Sequence, residues 1–295
     1  AFTQLKFDHL LFTGSGNIGK HVMRAASENL VPLTLELGGK SPVIVSDSSN
    51  IDITARRVMF NKTLNAGQIC LAPDYVYVHE TEKDNFVEAC KIQVNEFYSD
   101  LKYNPDYTSV INQKHYDRLN GLLSDAKDHG AELVEINPAN EDFSQQESHK
   151  IPPTLVLNPT DEMQIMKEEI FGPLLPIKTF KDINEPINYI NKNDKPLGLY
   201  YFGNNKNEEA KVVNSTTSGG VTVNDIMGHI QQNELGFGGV GPSGMGKYDG
   251  FDGFMNFSNN KPIYKQIGFG LDKLLDAIRP PYKGNIEDVL KKLLK

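Results

Sequence analysis

Two cysteines in 295 residues exclude a disulfide-built scaffold and any zinc site made from four thiolates. Cys70 and Cys90 read instead as free thiols of a reducing compartment, which points to a cytoplasmic protein. Basic charge is not in surplus either. Thirty Lys and Arg stand against 38 Asp and Glu, for a net charge of −8 and a pI near 5.4. Such a chain has little with which to neutralise phosphates, so no nucleic-acid partner is expected. No apolar run approaches the roughly 18 residues that a membrane span requires. The opening Ala1-Phe2-Thr3-Gln4-Leu5-Lys6 lacks the charged start and apolar stretch of a signal peptide. It begins on Ala rather than Met, which suggests that residues once preceded it. The length allows about two domains.

What is present is an alternation of short apolar runs and helical runs. Residues 7–13 read as a strand, 17–29 as a helix, 42–45 as a buried strand and 51–65 as a helix. Tyr75–His79 is strand-like, and a helix follows Thr81 as far as Tyr98. A helix over 114–129 closes on Gly130 and leads to a strand over 131–136. A polar loop follows over 137–150. Strands at 154–157, 174–180, 199–203 and 220–223 then alternate with helices at 182–191 and 208–215. Strands and helices in this order mean βαβ units and a mostly parallel sheet, an α/β fold. From Gly236 to Gly253 the chain carries eight glycines, too many for an ordinary helix. Leu271, Leu274, Leu275 and Ile278 resume helical spacing, which Arg279-Pro280-Pro281-Tyr282 breaks. Ile286, Val289, Leu290, Leu293 and Leu294 form a second apolar stripe, best read as packing on the protein itself or on a second subunit.

Four segments could carry chemistry. Gly14-Ser15-Gly16-Asn17-Ile18-Gly19 lies between a strand and a helix, where free backbone N–H groups can hold a phosphate. A dinucleotide fold also wants an acidic residue about 20 positions on, at the next strand's tip. Glu36 has that separation, but Leu37-Gly38-Gly39-Lys40 reads as a turn, not as the tip of a second strand. Cys70 sits in a loop, Asn65-Ala66-Gly67-Gln68-Ile69-Cys70-Leu71-Ala72-Pro73, whose amides could stabilise a thiolate or an oxyanion. The alternative is a buried structural cysteine, and Cys90, in a helix core stripe with Phe86 and Val94, reads that way. Glu36 is flanked by Leu35 and Leu37. Burial there would raise its pKa and suit it to general-base work, unless it finds a surface partner. Glu168-Glu169-Ile170-Phe171-Gly172-Pro173 is an acidic pair before an aromatic residue and a turn, a pattern that is usually just solvated.

Together these segments closely resemble the signatures of the aldehyde dehydrogenase superfamily. The resemblance rests on residues 34–42, on Gly67-Gln68-Ile69-Cys70, on Glu169-Ile170-Phe171-Gly172-Pro173 and on the order and separation of the three. Phe12-Thr13-Gly14-Ser15 with Ile18-Gly19 is similar to the family's cofactor turn, and residues 237–246 to its late glycine-rich loop. Leu71-Ala72-Pro73-Asp74-Tyr75 leans toward the class 3 branch. Arg279-Pro280-Pro281-Tyr282 leans toward coniferyl- and fatty-aldehyde members.

The resemblance implies a parallel-sheet catalytic domain beside an incomplete Rossmann-type cofactor domain. Residues 1–35 would be the end of the cofactor domain and 36–223 the thiol domain. Residues 224–295 would supply the substrate side, a pairing strand at about Phe254 to Tyr264, and terminal helices. It implies Cys70 as nucleophile and Glu36 as the base that activates water. NAD or NADP would be held by Thr13, Gly14, Ser15, Gly16, Asn17, Gly19, Leu37, Gly38, Glu169 and Phe171. Glu169 could share the base role, and Asn224 to His229 would line a pocket for an aromatic or fatty aldehyde. A homodimer is implied as well. The family's first cofactor strands, and its segment with the Asn that completes the oxyanion hole, have no counterpart here. The chain therefore reads as the C-terminal two-thirds of such an enzyme, inactive alone. A cysteine hydrolase or acyltransferase, or a non-catalytic fragment, are the rival readings. The former would want a histidine, and His9 and His79 stand in strands with no motif around them.

Overall fold

The computed structural model describes residues 2–266, 279–281 and 286–294. Ala1–Phe257 form one compact unit and Ser258–Lys295 a second. The first unit holds an α/β fold with two sheets. Its larger sheet has seven strands in the order β5-β6-β7-β4-β3-β8-β9. These are β3 (Pro42–Val45), β4 (Tyr75–His79), β5 (Glu132–Glu135), β6 (Thr154–Leu157), β7 (Leu174–Phe180), β8 (Gly198–Phe202) and β9 (Gly220–Val223). All neighbours are parallel except β5 and β6. β3, β6 and β8 are buried along their whole length, as their continuous apolar runs require of a sheet covered on both faces.

Helices supply that cover. On one face, α2 (Ile51–Thr63) and α3 (Lys83–Phe97) join an apolar cluster with Val43, Val45, Val76 and Val78. Asn50 caps α2 by accepting from the Ile53 N–H at 3.0 Å. Cys90 lies on α3, fully buried in this cluster, as its spacing predicted. On the other face, α4 (Gln113–Asp128) and α6 (Asn184–Lys192) bury Leu119, Leu122, Ile187 and Ile190 against Ile44, Tyr75 and Tyr77. The loop read over 137–150 carries no regular structure.

The smaller sheet corrects one reading. Leu33–Glu36 form a strand, β2, parallel to β1 (Leu10–Thr13), with Thr13 opposite Glu36. Glu36 is therefore the tip of the strand that follows the glycine turn, and the turn begins only after it. Thr34 and Glu36 are buried on one face and Leu35 on the other, so the strand shows no alternation of exposed polar and buried apolar residues. Between the strands runs α1 (Gly16–Ser27). The glycine-rich segment supplies β10 (Gly244–Met245), which pairs antiparallel to β2 with Gly244 opposite Glu36. β1 is one edge of the sheet and β10 the other, and Leu11 of β1 is exposed.

The same segment also ends in a helix, α8 (Gly250–Asn256), where glycine content had argued against one. A Cβ at Gly253 would lie 2.5 Å from the Tyr248 backbone, so glycine here serves close packing. Two further helices, α5 (Gln164–Lys167) and α7 (Lys206–Ser215), complete the unit. The pairing strand expected from Phe254 to Tyr264 does not form within the chain. Its first residues belong to α8, and residues 257–266 are exposed without strand structure. In the second unit, α9 (Ile286–Leu293) matches the last apolar stripe. The helix read at Leu271 to Ile278 lies outside the described residues.

Candidate active site

Three segments meet between the two sheets. The first is the end of β2. Glu36 is 2% exposed, and its Oε1 finds no hydrogen-bond partner among the described residues. Burial pushes its pKa up, while the Cys70 thiol and the Gly38 N–H pull it partly back. Its backbone is clamped from both sides: Gly14 N–H donates to Glu36 O at 3.0 Å, and Leu37 N–H to Ser243 O at 3.0 Å. Gly38 follows with φ +74°, and a Cβ there would lie 2.6 Å from Glu169 Oε1.

The second segment carries Cys70. After α2 the chain turns through Asn65, Ala66 and Gly67, all left-handed, with φ of 51°, 51° and 71°. The turn is wedged against the Gly172 carbonyl, which a Cβ at Gly67 would meet at 2.3 Å. Gln68 fixes the next residues. Its Nε2 donates to Asn65 O and Ser109 O, each at 3.0 Å, and its Oε1 accepts from Ile111 N–H at 2.9 Å. On the far side of the thiol, Tyr200 Oη donates to Leu71 O at 2.7 Å. Cys70 is thus a half-buried side chain on a pinned backbone, packed against the same apolar cluster that holds Ile226, Met227 and Phe237.

The thiol is not a ready thiolate. Burial, then the charge and hydrogen bonding of Glu36, then Glu169 push its pKa up to about 12, against a small opposing pull from its own backbone. The loop amides that could stabilise a thiolate are thus outweighed by burial and by the two carboxylates.

The third segment is Glu168–Gly172. Glu169 Oε1 accepts from Gly39 N–H at 3.0 Å, and burial, followed by repulsion from Asp74 and Glu36, pushes its pKa up to about 7. Phe171 is 37% exposed with φ +48°. Asp74, buried and four residues after the thiol, anchors this segment by accepting from Ile170 N–H at 2.8 Å, while pairing with Lys40. Lys40 also donates to Ile165 O and Glu168 O, each at 2.8 Å. Arg118 holds Glu169 O at 3.3 Å and Ile170 O at 2.5 Å.

The structure therefore brings together Cys70, Glu36, Leu37, Gly38 and Glu169. A cavity of about 530 Å³ opens beside them, lined by Gly16, Leu37, Gly38, Lys40, Tyr75 and Glu169. Gly14 and Gly19 pack tightly on Phe12 and Leu37, whereas nothing lies within 4 Å of the Cβ direction of Gly16. Ser15 makes no capping bond, and the first helical N–H to find a partner on Ser15 O is that of Gly19. The start of α1 thus offers unused backbone donors, with Thr13, Ser15 and Asn17 exposed around them.

A second cavity, of about 550 Å³, is lined by Arg56, Arg57, Phe60 and Phe97 with Asp225, Ile226 and Gly228. His229 turns away from it, with Nδ1 2.8 Å from Thr222 Oγ1. His9 and His79 are tied to Thr34 and Thr81, each at 2.8 Å.

Sequence reasoning passed over Lys40, Asp74, Arg118, Tyr248 and Lys62. Lys40 and Asp74 stood inside the quoted segments. Tyr248 has its ionisation opposed by burial and by the charges of Glu36 and Cys70. The signal for Lys62 was its place as the fourth member of the buried α2 stripe Ala55, Val58, Met59.

The model of the Aldehyde dehydrogenase family matches residues 2–263. A probable coniferyl aldehyde dehydrogenase of Caulobacter vibrioides is 53% identical over 98% of this chain and 60% of its own. A coniferyl aldehyde dehydrogenase of a Pseudomonas strain is 50% identical over 99% of this chain and 60% of its own. The chain spans about 60% of the length of these relatives. Among solved structures, a substrate-bound AldH of Staphylococcus aureus superposes with a TM-score of 0.85 at 41% identity, over 100% of this chain and 62% of that one. An NAD+ complex of betaine aldehyde dehydrogenase from the same organism gives 0.77 at 26% identity, over 86% of this chain and 51% of that one. The chain belongs to the aldehyde dehydrogenase family.

Proposed function

We propose that residues 36–223 are the thiol-bearing catalytic part of an enzyme that oxidises an aldehyde to its carboxylic acid with NAD+ or NADP+. The observation that carries the reading is the buried Glu36 carboxyl, one oxygen unpartnered, set against the Cys70 thiol. A carboxylate in that position removes the thiol proton as sulfur attacks the aldehyde carbon, so no standing thiolate is needed. The Cys70 backbone N–H supports the resulting oxyanion. The cofactor supplies the hydride acceptor, and the carbon is left as a thioester on Cys70. Glu36 first passes the thiol proton on to solvent, and as a carboxylate again it takes a proton from the water that cleaves the thioester, releasing the acid and the Cys70 thiolate. Its raised pKa suits a base working near neutrality.

The residues present fit a nicotinamide dinucleotide. The open N-terminus of α1, with Thr13, Gly14, Ser15, Gly16, Asn17 and Gly19, suits its phosphates. Leu37, Gly38, Glu169 and Phe171 would hold the nicotinamide ribose, Glu169 through hydroxyl hydrogen bonds. The cavity of Arg57, Phe60 and Ile226 would admit the aldehyde. The relatives named for coniferyl aldehyde favour an aromatic substrate. Cytoplasmic location and a homodimer are part of the same reading; among the described residues no helix is long and apolar enough to cross a membrane.

The test is NAD(P)H formation at 340 nm. The chain is assayed alone and after extension with the N-terminal 40% of the Caulobacter relative, with Cys70→Ser and Cys90→Ser in the extended form. The chain alone should be inactive, the extended form active, Cys70→Ser inactive and Cys90→Ser active. Cys70→Ser turnover within a few-fold of the unsubstituted protein would remove the nucleophile assignment.

A further inference from the structure

Lys62 ends the buried stripe of α2 with its side chain 1% exposed, and it belongs to none of the roles assigned above. Its Nζ donates to Pro73 O at 2.8 Å. Pro73 is three residues beyond Cys70, and Lys62 is eight before it. One side chain thus bridges the two ends of the thiol loop. The left-handed turn at Asn65–Gly67 also packs on Lys62 O, 3.0 Å from the Cβ direction of Gly67. The charges facing the ammonium are Asp74 and Glu169, which favour it, and Lys40, which opposes it. Lys40 is itself committed to Asp74, Ile165 O and Glu168 O.

This placement works against folding. Burial lowers the Lys62 pKa from its ordinary 10.5 to about 8. The unfolded chain therefore binds more protons between pH 8 and 10.5. The penalty is fully present below 8 and relieved as pH rises toward 10.5. An apolar side chain of the same length would fill the site without that penalty. A cation kept there against folding needs a reason in the site it touches.

We propose that Lys62 is a positioning residue of the thiol site, its ammonium closing the Cys70 loop at Pro73 O and supplying the buried positive charge that holds Asp74 and Glu169 beside the thiol. The proposal rests on Cys70 as the nucleophile. The charges that oppose ionisation of the thiol are Glu36 and Glu169. Without the Lys62 cation Glu169 and Asp74 lose a buried counter-charge, and the thiol's ionisation becomes harder.

The experiment measures the second-order rate of Cys70 alkylation by iodoacetamide in the 295-residue chain, by peptide mass, from pH 6 to 10.5. Wild type, Lys62→Met and Lys62→Arg are compared, and thermal unfolding is recorded for each. At pH 8, Lys62→Met should alkylate Cys70 about tenfold more slowly, the scale of a lost hydrogen bond to a charged group. Its melting temperature should be unchanged or higher. In wild type the rate should rise less steeply above pH 8 than thiolate formation alone would give. Lys62→Arg, charged throughout, should restore the unbroken rise. If Lys62→Arg does not fold, the wild-type and Lys62→Met profiles decide alone. A Lys62→Met protein that alkylates at the wild-type rate, or that loses rate and melting temperature together, would overturn the proposal. Neither aldehyde nor cofactor enters the assay. A failed oxidation reading would therefore show in the Cys70→Ser turnover and leave these profiles as they are.

Discussion

Gly67→Ala tests the backbone that presents the thiol. Gly67 has φ +71°, where an L side chain costs roughly 1–2 kcal/mol. The added Cβ would stand 2.3 Å from Gly172 O and 3.0 Å from Lys62 O, both backbone atoms. The gap to Gly172 must open by at least 0.7 Å to reach the 3.0 Å below which Cβ contacts essentially never occur. Overpacking of that kind costs about 1–3 kcal/mol more. The sum is about 2–5 kcal/mol, a fall in melting temperature of roughly 5–15 °C for a chain of this size. The displaced neighbours are the Cys70 loop and the turn after Phe171, so Cys70 alkylation should change as well. Gly121→Ala is the control. It lies exposed in α4 with nothing within 4 Å of its Cβ direction, and should stabilise by about 1 kcal/mol. Differential scanning fluorimetry with peptide mapping of alkylation reads both effects, with buried Cys90 as an internal silent thiol. Equal melting temperatures for the two variants would refute the claim that the left-handed turn holds the thiol.

Two further predictions concern the carboxylates. In the extended protein, Glu36→Gln should keep a first-turnover burst of NAD(P)H and slow the steady state. Stopped-flow traces with an equally slow first turnover would move the water-activating role to Glu169. Glu169, with its pKa raised from 4.5 to about 7, is destabilising above pH 7 and neutral in effect below 4.5. Glu169→Gln should therefore raise stability at pH 8 by up to about 3 kcal/mol and leave it unchanged at pH 4. Urea unfolding at the two pH values should show that divergence, and parallel shifts at both would contradict it.

The sequence disclosed elements whose residues obey one rule at a time. Val43–Val45 and Tyr75–Val78 are continuous apolar strands, and Cys90 follows the α3 stripe, so each was readable from spacing alone. β2 was not, because Thr34 and Glu36 are polar yet buried, which erases the strand's pattern. α8 was hidden because Gly253 is dictated by contact with Tyr248, a partner that local propensity cannot see. The meeting of Glu36, Cys70 and Glu169 followed from the family resemblance, since they lie 34 and 99 residues apart in sequence. The raised Cys70 pKa and the buried Lys62 depend on which charges are brought close in space. No spacing rule carries that information.

The central claim is that Cys70 holds the acyl group while Glu36 releases it. The direct measurement is acid-quenched peptide mass spectrometry of the extended Glu36→Gln protein after mixing with NAD+ and an aromatic aldehyde. The account predicts the mass of the acyl group on the peptide bearing Cys70, absent without cofactor and absent from the peptide bearing Cys90. An acyl group on any other residue, or NADH release with Cys70 unmodified at every quench time, would contradict it.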